Sequence, residues 1–527
     1  MHPSTSTFTA DGWDAARLVD LLHQVGLSVG NPRPVVRTVL DTFDGLLHDA
    51  GLRLTMVADG PRRAVDLTGD DVIAVRVAVD AAPVWPADLP AGPLRARVAA
   101  ALDVRALLAV LQIRSVEREV VRYDGRRKEV LRATLVESAV AAPGDVPVTP
   151  APMLVVEALA GYAKPAATLA ETLADAGAVR LDDDLVELAA SAAGVDLAGF
   201  SVSPTVPLDP AMPALDGWCA VLANLAATAR ANWSGTLAQI DTEFLHELRV
   251  AVRRTRSIVG HGRGVIPDDV LAPAASAFAE IGAVTGPARD FDVQLLDFPA
   301  QVARLGTSAA TDLDPVHAVL VERHRAAHAA LDTELTAPAI VAMLDRWQAW
   351  LADPARPGDR GSAPLADAPL GAVVAKRLRK AHRRVIADGR AITADSEPEA
   401  LHDLRKQAKK LRYLLECFAS VLPSDERKQF VKALKVLQDN LGEHQDAAVH
   451  VDELRAVGED VHRAGAPAAT MFALGELRAQ IDAQCSRSRD EFAERFAEFD
   501  TKETRRAFKA MLADLPSLGD ASFGDAP

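Results

Sequence analysis

One cationic pattern is written twice in this chain, and both copies sit in the same register. The first runs His246-Glu247-Leu248-Arg249-Val250-Ala251-Val252-Arg253-Arg254-Thr255-Arg256, and the second His402-Asp403-Leu404-Arg405-Lys406-Gln407-Ala408-Lys409-Lys410-Leu411-Arg412. A second marker, Gly286 to Asp290, recurs as Gly442 to Asp446, at the same offset of 156 residues (246 to 402, 286 to 442). A repeat of this length means two similar subdomains, each giving a helix to positive charge.

At roughly 100° per residue, His246, Arg249, Arg253 and Arg256 fall in one stripe, beside an apolar stripe of Leu245, Leu248, Val252 and Val259. His402, Arg405, Lys409 and Arg412 do the same beside Leu401, Leu404, Ala408, Leu411 and Leu415. Each helix is therefore expected to have a core face and, next to it, a row of stacked cations. Cations a turn apart repel by a few tenths of a kcal/mol per pair, so an unpaired stripe implies a polyanion that neutralises it. Arg254 and Lys410 lie off the centre of the stripe, and Lys406 follows the second one. A third run, Lys376 to Arg384, puts Lys376, Arg379, Lys380 and Arg383 on one face, and its counterpart Ala220 to Thr228 carries no cation. With Lys432 and Lys435, the second half is expected to hold more of the site.

The chain has 527 residues, enough for two or more domains, and a net charge of −15. Basic stripes on an acidic protein differ from a generic nucleic-acid coat, and 5% aromatic residues argue against a base-stacking platform. Cys219, Cys417 and Cys485 have no metal or disulfide spacing, which suits a reducing cytoplasm. No signal-peptide pattern opens the sequence and no apolar run approaches a membrane span.

Gly199, Pro204, Pro207, Pro210 and Pro213 mark a linker over 196–212. Helical patterns follow over 213–515, in halves of about 213–352 and 370–515 separated by the Pro/Gly-rich stretch Asp353 to Pro369, with a tail at 516–527. Gly260 to Gly264, Pro423 and Gly465 to Pro467 read as interhelical turns, giving about four helices per half. Residues 1–195 are strand-rich. Arg118 to Tyr123 and Lys128 to Glu137 alternate around an Asp124-Gly125 hairpin signature. Leu52 to Met56, Val72 to Val79 and Met153 to Ala158 read as strands, and Lys164 to Ala178 as a helix.

The paired H-x-x-R-x-x-x-[RK]-[RK]-x-R segments, each followed by a Gly-containing turn ending in Asp, resemble the CHAD domain, the conserved-histidine α-helical domain. The resemblance implies two four-helix halves related by a pseudo-twofold axis around a basic channel. It further implies binding of inorganic polyphosphate and association with polyphosphate granules. Residues 1–195 resemble a degenerate CYTH domain, a β-tunnel fold of triphosphate hydrolases and cyclases, through Leu40 to Asp44, Ala50 to Leu54, Arg114 to Glu119 and Met153 to Ala158. The metal- and phosphate-binding E-x-E-x-K motif expected at its start is replaced by Met1 to Ala10.

The expected fold is thus multidomain α+β: a strand-rich CYTH-like domain followed by an all-α CHAD domain. The expected function is noncatalytic polyphosphate binding, in the cytoplasm or on polyphosphate granules, with no cofactor. The site residues are the stripe positions of both copies with Arg254, Lys406, Lys410, the third-run cations and Lys432 and Lys435. Alternatives are metal-dependent hydrolysis of a triphosphate or polyphosphate by the N-terminal domain, and nucleic-acid binding by the same stripes. Asp290, Asp292 and Asp446 are expected to brace stripe arginines. His324 and His328 have the i, i+4 spacing of a metal pair, but no motif supplies a third ligand, so they read as a polar helix face.

Overall fold

The computed structural model describes residues 5–10, 12–69, 72–201, 205–306 and 311–516. Met1 to Ser4, part of the expected linker and all but the first residue of the expected tail lie outside them. The chain divides into two compact units, Met1–Val202 and Ser203–Pro527.

The first unit is built on one antiparallel sheet. Its strands are β1 (Thr5–Thr9), β2 (Ser28–Val29), β3 (Arg33–Asp41), β4 (Leu52–Asp59), β5 (Arg62–Gly69), β6 (Val72–Ala78), β7 (Leu108–Tyr123), β8 (Glu129–Ala141), β9 (Met153–Glu157) and β10 (Val179–Leu181). Their order is β10-β1-β9-β8-β7-β3-β4-β5-β6, with β2 added on β7. Short helices cover it: α1 (Ala15–Gln24), α2 (Leu46–Asp49), α3 (Pro93–Leu102), α4 (Ala163–Asp175) and α5 (Leu185–Ala193). Alternation of apolar residues along the strands lets the sheet bury residues on both faces. Leu131, Leu135 and Val156 pack with Leu18, Leu22, Leu169 and Leu173 of α1 and α4, while Leu54, Val65 and Leu67 pack with Leu94 and Val98 of α3.

The expected strands are present, but the hairpin between β7 and β8 is not a two-residue turn on Asp124-Gly125. Asp124 Oδ1 accepts from the N–H groups of Arg126 and Lys128. The residue with positive φ is Arg127, at 60°. An aspartate that can satisfy two backbone donors lengthens the loop and removes the need for glycine at the left-handed position.

The second unit is helical: α6 (Ala214–Leu237), α7 (Thr242–His261), α8 (Asp268–Ala303), α9 (Asp314–Leu335), α10 (Pro338–Ala352), α11 (Leu370–Ala391), α12 (Pro398–Cys417), α13 (Ser424–Arg463), α14 (Ala468–Phe499) and α15 (Lys502–Met511). Among the described residues, each half has four longer helices and a shorter fifth. The first three helices of the second half start 156 residues after their counterparts (214 to 370, 242 to 398, 268 to 424). The pseudo-twofold relation is visible at one bridge. Pro213 pairs with Pro369; the Ala214 N–H donates to Ala368 O and the Leu370 N–H donates to Met212 O. Each bond is the 156-residue image of the other, as an isologous contact requires.

One apolar core joins the halves. Trp218 packs against Phe418 with the rings tilted by 43° and their centroids 4.5 Å apart, among Leu222, Leu248, Leu378, Leu404 and Leu411. A second cluster joins the far ends of the long helices: Phe298 and Val302 of α8 and Leu320 of α9 with Leu454 and Val457 of α13 and Leu477 of α14. Between the two clusters, α8 and α13 turn polar, and a cavity opens there.

The Gly286 to Asp290 and Gly442 to Asp446 segments are not turns: both lie inside uninterrupted helices, α8 and α13. A Cβ on Gly286 would come 3.5 Å from Arg249 Nη1, and one on Gly442 would come 3.9 Å from Arg405 Nη2. Each glycine thus faces an arginine of the stripe across ordinary contact distance.

Candidate functional site

The cavity of about 1250 Å³ is lined by α7, α8, α12, α13 and α14. From α7 come His246, Arg249 and Arg253, and from α12 their images His402, Arg405 and Lys409, with Arg412. The two stripes therefore meet in one space. The local reason is the apolar stripe beside each: Leu245, Leu248 and Val252 on α7 and Leu401, Leu404, Ala408 and Leu411 on α12 are buried, which turns the cationic row toward the cavity.

Individual cations differ in how they are held. Arg249 donates through Nη1 to Thr285 Oγ1 at 3.1 Å. Arg405 pairs with Asp446 at 2.9 Å, and His402 Nδ1 lies 2.6 Å from Gln445 Oε1. Arg253 and Lys409 have no acid within ion-pair distance among the described residues. Buried Nε atoms of Arg249, Arg253 and Arg405 make no hydrogen bond. Burial, then the nearby Arg405 and Arg253, pushes Lys409 down to about 8. Burial and Arg253 push Arg249 down to about 10. These positive charges are confined together and only partly compensated.

The opposite wall is acidic. Burial, then Asp290, pushes Glu453 up to about 7, and burial also raises Asp290. Arg289, Arg304 and Arg487 add cations from α8 and α14. Sequence reasoning missed these three and Glu453, since neither α8 nor α14 carries a stripe and Glu453, on α13, belongs to no motif. The aspartates 44 residues after each histidine, Asp290 and Asp446, were the available pointer to the acidic wall.

Several expected site residues lie elsewhere. Lys376, Arg379, Lys380 and Arg383 are on α11, which buries Leu370 to Ala375, Leu378 and Val385 and gives no residue to the cavity. Lys432 and Lys435 precede the part of α13 that reaches it. Lys406 pairs with Asp403 at 3.1 Å on an exposed face, and Lys410 stands with Lys380 and Arg377 near His261. Arg256 packs against Gly282, where a Cβ would lie 2.8 Å from its Nη1. Its image Arg412 meets Gln438 instead of a glycine, bonding Oε1 at 3.3 Å, and so stays at the cavity. The extra cations of the second half thus lie on its outside.

Arg254 ties the halves together. It donates to Glu416 Oε2 at 2.9 Å, and the other oxygen of Glu416 takes Arg412 at 2.5 Å. Arg254 and Glu416 are both largely buried. Glu416→Ala leaves the largely buried Arg254 guanidinium without its acid, and should cost about 3 kcal/mol of stability. Urea unfolding of the purified variant reads this directly; an unchanged midpoint would remove the structural role of the pair.

Asp446 braces Arg405 as expected, but Asp292 does not brace the stripe. Its Oδ1 lies 2.9 Å from Nε2 of both His324 and His328, across from α8 to α9. Burial works to raise its pKa, but hydrogen bonds from the two histidines outweigh it and hold Asp292 below the usual range.

On the sheet, several arginines are paired with acids. Arg33 and Arg37 both reach Glu117, which is 5% exposed. Arg118 pairs with Glu137, Arg53 with Glu187 at 3.0 Å and Arg132 with Glu129 at 2.7 Å. The opening strand β1 offers Thr5 to Thr9 and no carboxylate.

Residues 220–455 match the family model of the CHAD domain. Among solved structures, the chain is similar to the CHAD domain from the plant Ricinus communis, with 24% identity over 60% of this chain and 97% of that one, at a TM-score of 0.45. It is similar to PptA from Streptomyces chartreusis, with 18% identity over 54% and 99% and a TM-score of 0.43. It is also similar to a putative adenylate cyclase from Bacillus halodurans, with 11% identity over 35% and 96% and a TM-score of 0.28. No curated protein matches the chain.

Proposed function

We propose that the CHAD domain of this chain binds inorganic polyphosphate in the cavity between α7 and α12, without catalysis. The observation that carries this reading is the pair Arg253 and Lys409. They are image positions of the repeat, brought together in one space without acid partners. Leaving such charges enclosed is costly unless a polyanion supplies the missing partners. Polyphosphate carries roughly one negative charge per phosphate along a flexible chain. Arginine forks contact two oxygens of one phosphate, and Lys409 serves as an adaptable point charge. The acidic wall limits the charge the cavity accepts and favours a narrow strand over a bulky duplex.

The N-terminal sheet gives little support to hydrolysis. The two-metal centre of a CYTH enzyme needs several free carboxylates on one face. Here Glu117, Glu137 and Glu187 are engaged by arginines, and β1 supplies no acid. The residues present do not fit that centre, and the same ion pairs occupy Arg33, Arg37, Arg53, Arg118 and Arg132. No helix among the described residues is long and apolar enough to cross a membrane. This suits a protein that meets polyphosphate in the cytoplasm or on granules.

The test is binding of long-chain polyphosphate at two salt concentrations, beside DNA, RNA and free triphosphate. The expected result is tight polyphosphate binding that weakens with salt, by about 0.7 in the log–log slope per phosphate contacted if it behaves as a single strand. Nucleic acids should fail to displace it. Displacement by RNA at equal charge would favour the nucleic-acid reading, and metal-dependent phosphate release would favour the enzyme.

A further inference from the structure

Two helices of the first half bring three metal-ligating side chains to a point. His324 and His328 occupy successive turns of α9, so both rings project from one face. Facing them on α8 is Asp292, 1% exposed at its side chain, as against 7% for His328 and 27% for His324. Both Nε2 atoms are 2.9 Å from the same oxygen, Asp292 Oδ1. One ligand atom from each residue fits within a 4.8 Å span.

We infer that Asp292, His324 and His328 form a site for a divalent transition-metal ion, with Zn2+ the best match to two imidazole nitrogens and one carboxylate oxygen.

Three observations support this beyond the residue types. The second carboxylate oxygen, Asp292 Oδ2, is buried and has no hydrogen-bond partner. A divalent ion would offset the charge of that enclosed carboxylate. The geometry is also near what the ion needs. Ligand atoms about 2 Å from a tetrahedral zinc stand roughly 3.3 Å apart, so each nitrogen must move only a few tenths of an ångström from Oδ1. His324, 27% exposed, opens the group toward solvent, from which a water can complete the coordination.

The repeat supplies the strongest argument. The image positions of Asp292, His324 and His328 are Ala448, Gln480 and Gln484. The constellation is therefore not repeated at that offset in the second half. Another three-residue group, Glu243, His246 and Glu247, also lies within metal-binding span. There Glu243 is already paired with Arg289 at 3.5 Å, and His246 faces the cavity.

The ion would pin α9 to α8 two residues from Asp290, a cavity wall residue. None of its three ligands lines the cavity, so the inference is independent of what the cavity binds.

The experiment uses the full chain, stripped with a chelator, titrated with Zn2+ by calorimetry and with Co2+ by visible absorption. The variant is His324→Gln/His328→Gln, which installs the side chains that occupy the image positions. Asp292→Asn is the second variant, nearly isosteric and uncharged. The native chain should bind one Zn2+, give the intense absorption of low-coordinate Co2+, and unfold at a higher temperature with Zn2+ present. The double variant should lose more than about 100-fold in affinity, and Asp292→Asn at least about tenfold. Circular dichroism and polyphosphate binding in metal-free buffer should be unchanged in both, which separates loss of the site from loss of the fold. No Zn2+ binding by the native chain, or equal binding by the double variant, would overturn the assignment.

Discussion

Replacing Arg249, Arg253, Arg405 and Lys409 together with alanine lowers the affinity for long-chain polyphosphate by about a thousandfold. Each hydrogen bond to a charged group is worth about 1.5–3 kcal/mol, so four sum to at least about 6 kcal/mol. The residues share one space and their effects are not additive, which brings the expected loss to about 4 kcal/mol. The slope of log affinity against log salt should shrink by about 3, following the four contacts removed. The same variant should be more stable than the native chain. Lys409 and Arg249 are pushed below their usual ranges by burial and neighbouring cations, so the unliganded fold is strained by them. A variant that unfolds at higher urea and no longer binds polyphosphate separates the loss of function from misfolding. Unchanged binding would mean that the cavity is not where the polyanion lies.

That opposition between stability and binding also explains what could be read in the sequence. A stripe of His246, Arg249 and Arg253 beside Leu245, Leu248 and Val252 defies the ordinary logic of a solvated helix, where acids would be interspersed. The 156-residue register then places a second such stripe, and twofold packing around Pro213 and Pro369 brings the two together. Periodicity fixes which face of a helix is apolar, but it does not tell where the other face points. Lys376, Arg379, Lys380 and Arg383 have the same helical spacing as the stripes, yet α11 turns them away from the cavity.

Glycine was the other source of misreading. In isolation Gly286-Pro287 reads as a turn, because glycine and proline both weaken a helix. Inside α8 the glycine faces Arg249, a tertiary contact with no local signature. Asp292 is 32 residues from His324 along the chain, so the three-residue constellation was beyond any spacing motif. The acidic wall was hidden for a similar reason. Glu453 matters through its burial and its neighbour Asp290, and neither property is written in its own helix.

Polyphosphate affinity should fall steadily as pH rises from about 6 to about 9, in two steps with the same sign. Glu453 is raised from its usual 4.5 to about 7 by burial and by Asp290. Below that pH it is neutral; above it the cavity gains a negative charge that repels the ligand. Lys409 is lowered from its usual 10.5 to about 8 by burial and the flanking cations. Above that pH the free protein loses a positive charge, and binding must draw a proton from solvent to restore it. At the Lys409 step the stability of the unliganded chain runs the opposite way. A lysine with a depressed folded-state pKa contributes stability that is present above about 10.5 and lost as pH falls through about 8. The two steps can be removed one at a time. Glu453→Gln should leave affinity at pH 6 unchanged, tighten it about fivefold at pH 8, and flatten the lower step. One unit charge about 10 Å away in a partly solvated cavity is worth about 1 kcal/mol. Lys409→Met should weaken binding at pH 7 and flatten the upper step, while calorimetry in buffers of different ionisation enthalpy should show its proton uptake disappear. Affinity that is flat or rising across this range would mean that neither wall of the cavity meets the ligand. Because the internal phosphates of the chain stay ionised throughout, any dependence observed belongs to the protein.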